Sequence, residues 1–158
     1  FIAPTATLIG DVVVEENASV WYGAVLRADF NQVIVRAGAN VQDNSVLHTT
    51  PAAPVEVGPR VTVGHVCVVH SATLEEECLI ANGATVLDGA KIGARAMVGA
   101  GAVITPNTEV PPGMLAVGVP AKVTRTLAGT PAEYWVRFNP EGYQVLARRH
   151  KVGIAPAS

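Results

Sequence analysis

Three of the four histidines in this chain, His48, His65 and His70, fall within a span of 23 residues. Neutral imidazole is a common ligand for zinc and for other divalent transition metals. Three protein ligands are what a catalytic metal site keeps, because the fourth position stays open for water or substrate. Imidazole-only ligation suits Zn, Fe(II) or Co, and the residues do not choose among them. The fourth histidine stands apart in the basic run Arg148-Arg149-His150 and is expected to be solvated. Cys67 and Cys78 form no CxxC pair and are expected to be buried packing residues rather than reactive thiols.

Any such chemistry needs an element that brings the histidines into line. Aliphatic residues recur every six positions at Ile80, Val86, Ile92, Val98, Ile104 and Val110. The same phase runs through Val14, Val20 and Leu26, through Val35, Val41 and Leu47, and through Val57, Val63 and Val69, with a one-residue slip before Leu74. Four positions after each aliphatic the residue is usually small, as at Ala18, Ala39, Ser45, Cys67, Thr73, Cys78 and Ala84. A period of six is neither the helical 3.6 nor the strand period of 2. It suits a short strand and a tight turn, three of which close one triangular coil. Coils stacked at about 4.8 Å would bury the aliphatics in a single core. The fold class is therefore an all-β solenoid, a left-handed parallel β-helix of hexapeptide repeats with a C-terminal α-helix. Two insertions break the phase: Asp29 to Gln32 bulges, and Thr49 to Glu56 forms a loop with Pro51 and Pro54.

Counting hexads places the histidines. Those beginning at Leu26, Leu47 and Val69 share one face in consecutive coils, so Arg27, His48 and His70 form an outward ladder. His65 lies on the preceding face, in a second ladder with Asp43 below and Asn82 above. Five residues separate His65 from His70, which is up to about 16 Å of extended chain. Metal–nitrogen bonds are only about 2 Å long. Two chains satisfy both demands if one prism's first ladder faces the next prism's second. That heterologous contact closes under threefold symmetry, giving a homotrimer with three shared sites.

Residues 1–122 are assigned to the solenoid and 123–158 to a linker and a helix on the outside of the prism. Thr130 is the expected N-cap, with Pro131 in the first turn and Glu133 completing a capping box. Pro140 and Gly142 are expected to break that helix before Tyr143 to His150 continue it. The net charge of −2 gives no general attraction to nucleic acid or anionic membrane. No apolar run is long enough to span a bilayer and no signal peptide is visible, so a reduced, cytoplasmic protein is expected.

The runs Asn40-Val-Gln-Asp-Asn-Ser-Val-Leu-His48, Thr62-Val-Gly-His-Val-Cys-Val-Val-His70 and Val25-Leu-Arg-Ala-Asp29, with Ala84-Thr-Val-Leu-Asp-Gly-Ala90 and Gly118-Val-Pro-Ala-Lys122, resemble the γ-class carbonic anhydrase-like family. The resemblance covers nearly the whole chain. It implies reversible hydration of CO2 to bicarbonate, a lyase reaction, at a metal held by His48 and His70 of one subunit and His65 of its neighbour. It implies that Arg27 and Asp29 form an ion pair between subunits. It also implies that Gln42 orients bound water or substrate and that Asp43 supports the site from behind. Asn82 stands where relatives commonly carry an apolar residue and is expected to donate a hydrogen bond at the site. Tyr143 is expected either to approach the site or simply to pack. The chain departs from the active members of the family in lacking an acidic loop to carry protons away: Phe30 follows Asp29, and Glu56 lies at the far end of a short loop. Two rival readings follow, a weakly active or inactive metal-binding scaffold, or a hexapeptide acyltransferase. Acyl transfer needs one basic histidine rather than three convergent ones.

Overall fold

The structure, a computed structural model, describes residues 1–153. Short strands stack in parallel on three faces. The first face pairs Ser19–Val20, Asn40–Val41, Thr62–Val63, Leu79–Ile80, Met97–Val98 and Met114–Gly118. The second pairs the start of Val25–Val35 with Val46–His48, Val68–His70, Thr85–Val86 and Val103–Ile104. The third pairs the end of Val25–Val35 with Val55–Val57, Thr73–Leu74, Lys91–Ile92 and Glu109–Val110. This is the left-handed β-helix of the hexapeptide repeat.

The hexad aliphatics form one core. Val20, Leu26, Val41, Leu47, Val63, Val69, Ile80 and Ile92 have no exposed surface. Alanine or cysteine at the small position lets the chain turn toward the axis, and Ala18, Ala39, Cys67, Cys78 and Ala84 are buried there. Thr73, expected at such a position, is exposed, and Ala72 fills the place instead. The reason is the shortened hexad between Val69 and Leu74, since the small residue keeps its distance from the aliphatic that follows it. Stacking also restricts the residue after the aliphatic. A Cβ on Gly64 would lie 2.9 Å from Ile80 O and 2.7 Å from Asn82 Oδ1, so the coil above could not settle on any larger residue there.

Both insertions stay ordered. Asp29 to Gln32 bulge out inside the continuous strand Val25–Val35, where the register with the coil below shifts between Gly10 and Val12. Asn31 Nδ2 donates to Thr50 O at 2.8 Å and Pro51 O at 3.0 Å, which ties the bulge to the second loop.

After Met114–Gly118 the chain reverses into the antiparallel strand Ala121–Thr126 and then into a helix over Pro131–Lys151. The expected break is absent: the helix continues through Pro140 and Gly142. Proline removes one helical hydrogen bond. Val136, Pro140 and Ala147 are buried, so packing of this face outweighs that loss. The capping box is also not formed. Thr130 has the extended backbone of an N-cap, but its hydroxyl donates to Leu127 O, and Glu133 Oε2 accepts from Gly129 N at 2.8 Å. Residues 154–158 of the expected outer segment lie outside the described residues.

Two outcomes test this packing. Ile80→Ala should lower the unfolding free energy by about 2–5 kcal/mol in denaturant titrations, because the stacked coils cannot collapse into the gap. Cys67 and Cys78 are free and buried. Burial pushes the Cys67 thiol up to about 11 and raises Cys78 as well. Both thiols therefore stay protonated at pH 8. A chromogenic disulfide reagent should detect neither in the native protein and both after unfolding.

Candidate metal centre

In-register stacking aligns the first ladder. Arg27 pairs with His48, and His48 with His70, in successive strands of the second face. His48 Nδ1 lies 2.9 Å from His70 Nε2, with ring centroids 5.0 Å apart. Asp29, carried by the bulge, reaches His48 Nε2 at 3.1 Å. Arg27 donates to Asp29 as well, so the ion pair implied between subunits is met here within one chain.

His65 stands at the corner before this face. Its backbone N–H donates to Asn82 Oδ1 at 3.1 Å, and its Nδ1 lies 3.0 Å from Asp43 Oδ2. The second ladder of Asp43, His65 and Asn82 is thus formed. Tyr143 reaches it within the same chain, with its hydroxyl 3.4 Å from His65 Nε2 and its ring edge-on to Trp21 at 5.2 Å. Burial first, and the nearby Asp43 charge second, push the Tyr143 phenol up to about 12, so it remains a hydrogen-bond donor over the ordinary pH range.

Gln42 is buried, and its Nε2 donates to Asn40 Oδ1 at 3.0 Å. It lines a cavity of about 260 Å³ with Gly64, Asn82, Met97, Trp135 and Asn139, between the first face and the helix. The predicted residues therefore form two groups. Arg27, Asp29, His48 and His70 lie on the second face. Gln42, Asp43, His65, Asn82 and Tyr143 lie at the preceding corner or along the groove beside it. Among the described residues, no three His, Cys, Asp or Glu side chains of the one chain converge on a common point.

Two residues escaped the sequence reading. Asp88 Oδ1 lies 2.7 Å from His70 Nδ1. Its signal was available, since it is two residues after Val86, one coil above His70. His150 is not merely solvated: its Nδ1 lies 2.8 Å from the Tyr22 hydroxyl and its ring packs on Trp21 at 5.0 Å. Nothing in the local basic run signals that contact.

The donor set suits a metal. Each of the three histidines has a carboxylate on one ring nitrogen: Asp29 on His48, Asp88 on His70 and Asp43 on His65. Metal-ligating histidines usually donate their second N–H in this way, which fixes the tautomer and the ring direction. In the tautomers that donate to these carboxylates, His48 Nδ1 and His70 Nε2 face each other as two acceptors. A cation between them would resolve that contact. Tetrahedral zinc with bonds of ~2.0–2.1 Å sets two nitrogens about 3.3 Å apart, so these rings need to part by only a few tenths of an ångström.

The profile of the family described as bacterial transferase hexapeptide (six repeats) matches residues 71–106. The chain is 39% identical over 156 residues to the mitochondrial γ carbonic anhydrase 2 of Arabidopsis thaliana, covering 95% of this chain and 56% of that protein. It therefore spans little more than half the length of that plant relative. It is 43% identical over 127 residues to a carbonic anhydrase of Geobacillus kaustophilus, covering 80% of this chain and 70% of that one. The crystal structure of a putative acetyltransferase of Bacillus cereus superimposes with a TM-score of 0.93 at 37% identity, covering 96% of this chain and 88% of that one. By its repeat, its solenoid and its identity to these relatives, the chain belongs to the γ-class carbonic anhydrase-like family of hexapeptide-repeat proteins.

Proposed function

We propose that this protein is a metal-dependent γ-type carbonic anhydrase, hydrating CO2 reversibly to bicarbonate at sites shared between the subunits of a homotrimer. His48 and His70 of one subunit and His65 of the next would hold the metal, with zinc first and Fe(II) or Co as alternatives. The observation that carries this reading is the split donor set: three carboxylate-backed imidazoles on two sides of one rigid prism. Phe30 and Val66 support it. Both are apolar and well exposed, at 62% and 60%, and they stand beside opposite halves of the site, Phe30 against His48 and Val66 next to His65. A neighbouring copy would cover both. Two free cysteines suit a reducing compartment such as the cytoplasm, and no helix is long and apolar enough to cross a membrane.

Held by His48, His70 and the neighbouring subunit's His65, zinc would supply the Lewis acidity that lowers the pKa of water toward neutral pH. The chain's own groups do the rest. Asn82 Oδ1 is engaged by the His65 backbone, which leaves the amide NH2 to donate to bicarbonate. The Tyr143 hydroxyl donates beside His65. Gln42, anchored through Asn40, lines the adjoining cavity, where its amide would orient substrate. Asp29 and Asp43 hold their histidines, and Arg27 neutralises Asp29.

Proton exit is the weak step in this reading. Glu56 sits on the third face, paired with Arg36 at 2.9 Å, away from the histidines. That placement favours a second reading, a metal-holding scaffold with little turnover.

Stopped-flow CO2 hydration on zinc- or cobalt-loaded protein separates the two. Wild type should be active, and His65→Ala and His70→Ala should each lose at least ~100-fold in kcat/KM. Co-refolding the two inactive variants should restore about a quarter of the sites, because a ring of mixed subunits pairs an intact His65 with an intact His48–His70 at some interfaces. Activity in wild type without recovery in the mixture would refute the shared site. Metal-loaded wild type without activity would leave the scaffold.

A further inference from the structure

We infer that Asp88 is the positioning residue for His70: its carboxylate holds Nδ1–H and thereby aims the Nε2 lone pair at the metal site. The inference rests on the metal-site reading above. Stacking sets the arrangement. Val86 lies in register over Val69, so Leu87 sits above His70 and Asp88 begins the next corner. The backbone there is pinned on both sides, with Gly89 N donating to Ser71 O below and Asn107 N donating to Asp88 O from above, each at 2.8 Å. Gly89 has φ +69°, and a Cβ on it would fall 2.4 Å from Asn107 Oδ1, so the corner is built around glycine.

Asp88 differs from the other two aspartates. Asp29 is shared with Arg27, and Asp43 lies beside Tyr143. Among the described residues, the Asp88 carboxylate meets only His70, at 2.7 Å, the shortest of the three histidine–carboxylate contacts. A dedicated acceptor on Nδ1 excludes the tautomer with hydrogen on Nε2, which could not bind a metal through that atom. It also prevents the ring from rotating away from His48. Asp88 is half exposed, at 47%, and covers no core, so its contact adds aim rather than stability.

Zn(II) and Co(II) affinities of the full chain should be measured by competition with a chromogenic chelator, together with the Co(II) absorption spectrum and the melting of the metal-free protein. Asp88→Asn should bind metal ~10–100-fold more weakly, with an altered Co(II) spectrum and unchanged metal-free melting. Asp88→Glu, which keeps the carboxylate, should recover part of the loss. Wild-type affinity and spectrum in Asp88→Asn would overturn the role of Asp88 and leave the metal site standing. Failure of wild type itself to bind either metal would overturn the metal-site reading and this inference with it.

Discussion

Everything in this protein depends on parallel coils lying in register one interstrand spacing apart. Backbone hydrogen bonds run from each coil to the next, and within the paired strands each side chain sits above its counterpart. The aliphatic column needs that register to exclude water. The outward ladders inherit it at no further cost. His48 stands over Arg27 and under His70 because Leu47 stands over Leu26 and under Val69. A one-residue slip would turn the column outward and scatter the ladder at once. The same constraint explains Gly64, where the coil above leaves no room for a Cβ. Core stability and site geometry are therefore one requirement met by one interaction.

A rigid prism can carry ligands on adjoining sides, yet it cannot fold those sides toward each other. His48 and His70 are close because they share a face, and His65 is kept from them because it belongs to the corner before it. Each half carries its own hydrogen-bond acceptors. Each half is thus oriented within a chain, and in the proposed trimer completion of the ligand set would be left to symmetry. The exposed Phe30 and Val66 fit this division, since an apolar rim around each half would exclude water once two copies meet. Val66 even holds a left-handed backbone, φ 58°, which a β-branched residue adopts only at a cost of about 1–2 kcal/mol.

Much of this was legible in the sequence because a six-residue period is a coordinate system. Knowing the phase assigns each residue to a face and a height, which is how the two ladders, the two-plus-one division of the histidines and the small inward residues follow. Legibility failed where the period stops or shortens. Ala72 displaced Thr73 because the small residue is set by the aliphatic ahead of it, not by the one behind. The tail has no such grid. Its local signals, Thr130 with Glu133 and Pro140 with Gly142, predicted a capping box and a break. Tertiary packing overrode the break, while local hydrogen bonds from Thr130 to Leu127 O and from Gly129 N to Glu133 replaced the box. Asp88 was missed for another reason: its ladder position was readable, but its role appears only when His70 is turned to one of its two ring nitrogens.

The tail also shows why its helix has to run unbroken. Val136, Pro140, Tyr143, Ala147 and His150 are spaced by four and three, so they line one face of a continuous helix. That face packs along the corner below and beside His65. Val136 joins Leu79 and Leu127, Tyr143 meets Trp21 and His65, and His150 meets Trp21 and Tyr22. A break at Pro140 would rotate Tyr143 away from His65 and detach His150 from the first coil together. The lost helical hydrogen bond is offset by burial at both ends of the same stripe. The helix is therefore a wall beside His65 as well as an outer layer of the fold, and the aromatic column from Tyr22 through Trp21 to Tyr143 joins the first coil of the solenoid to that wall.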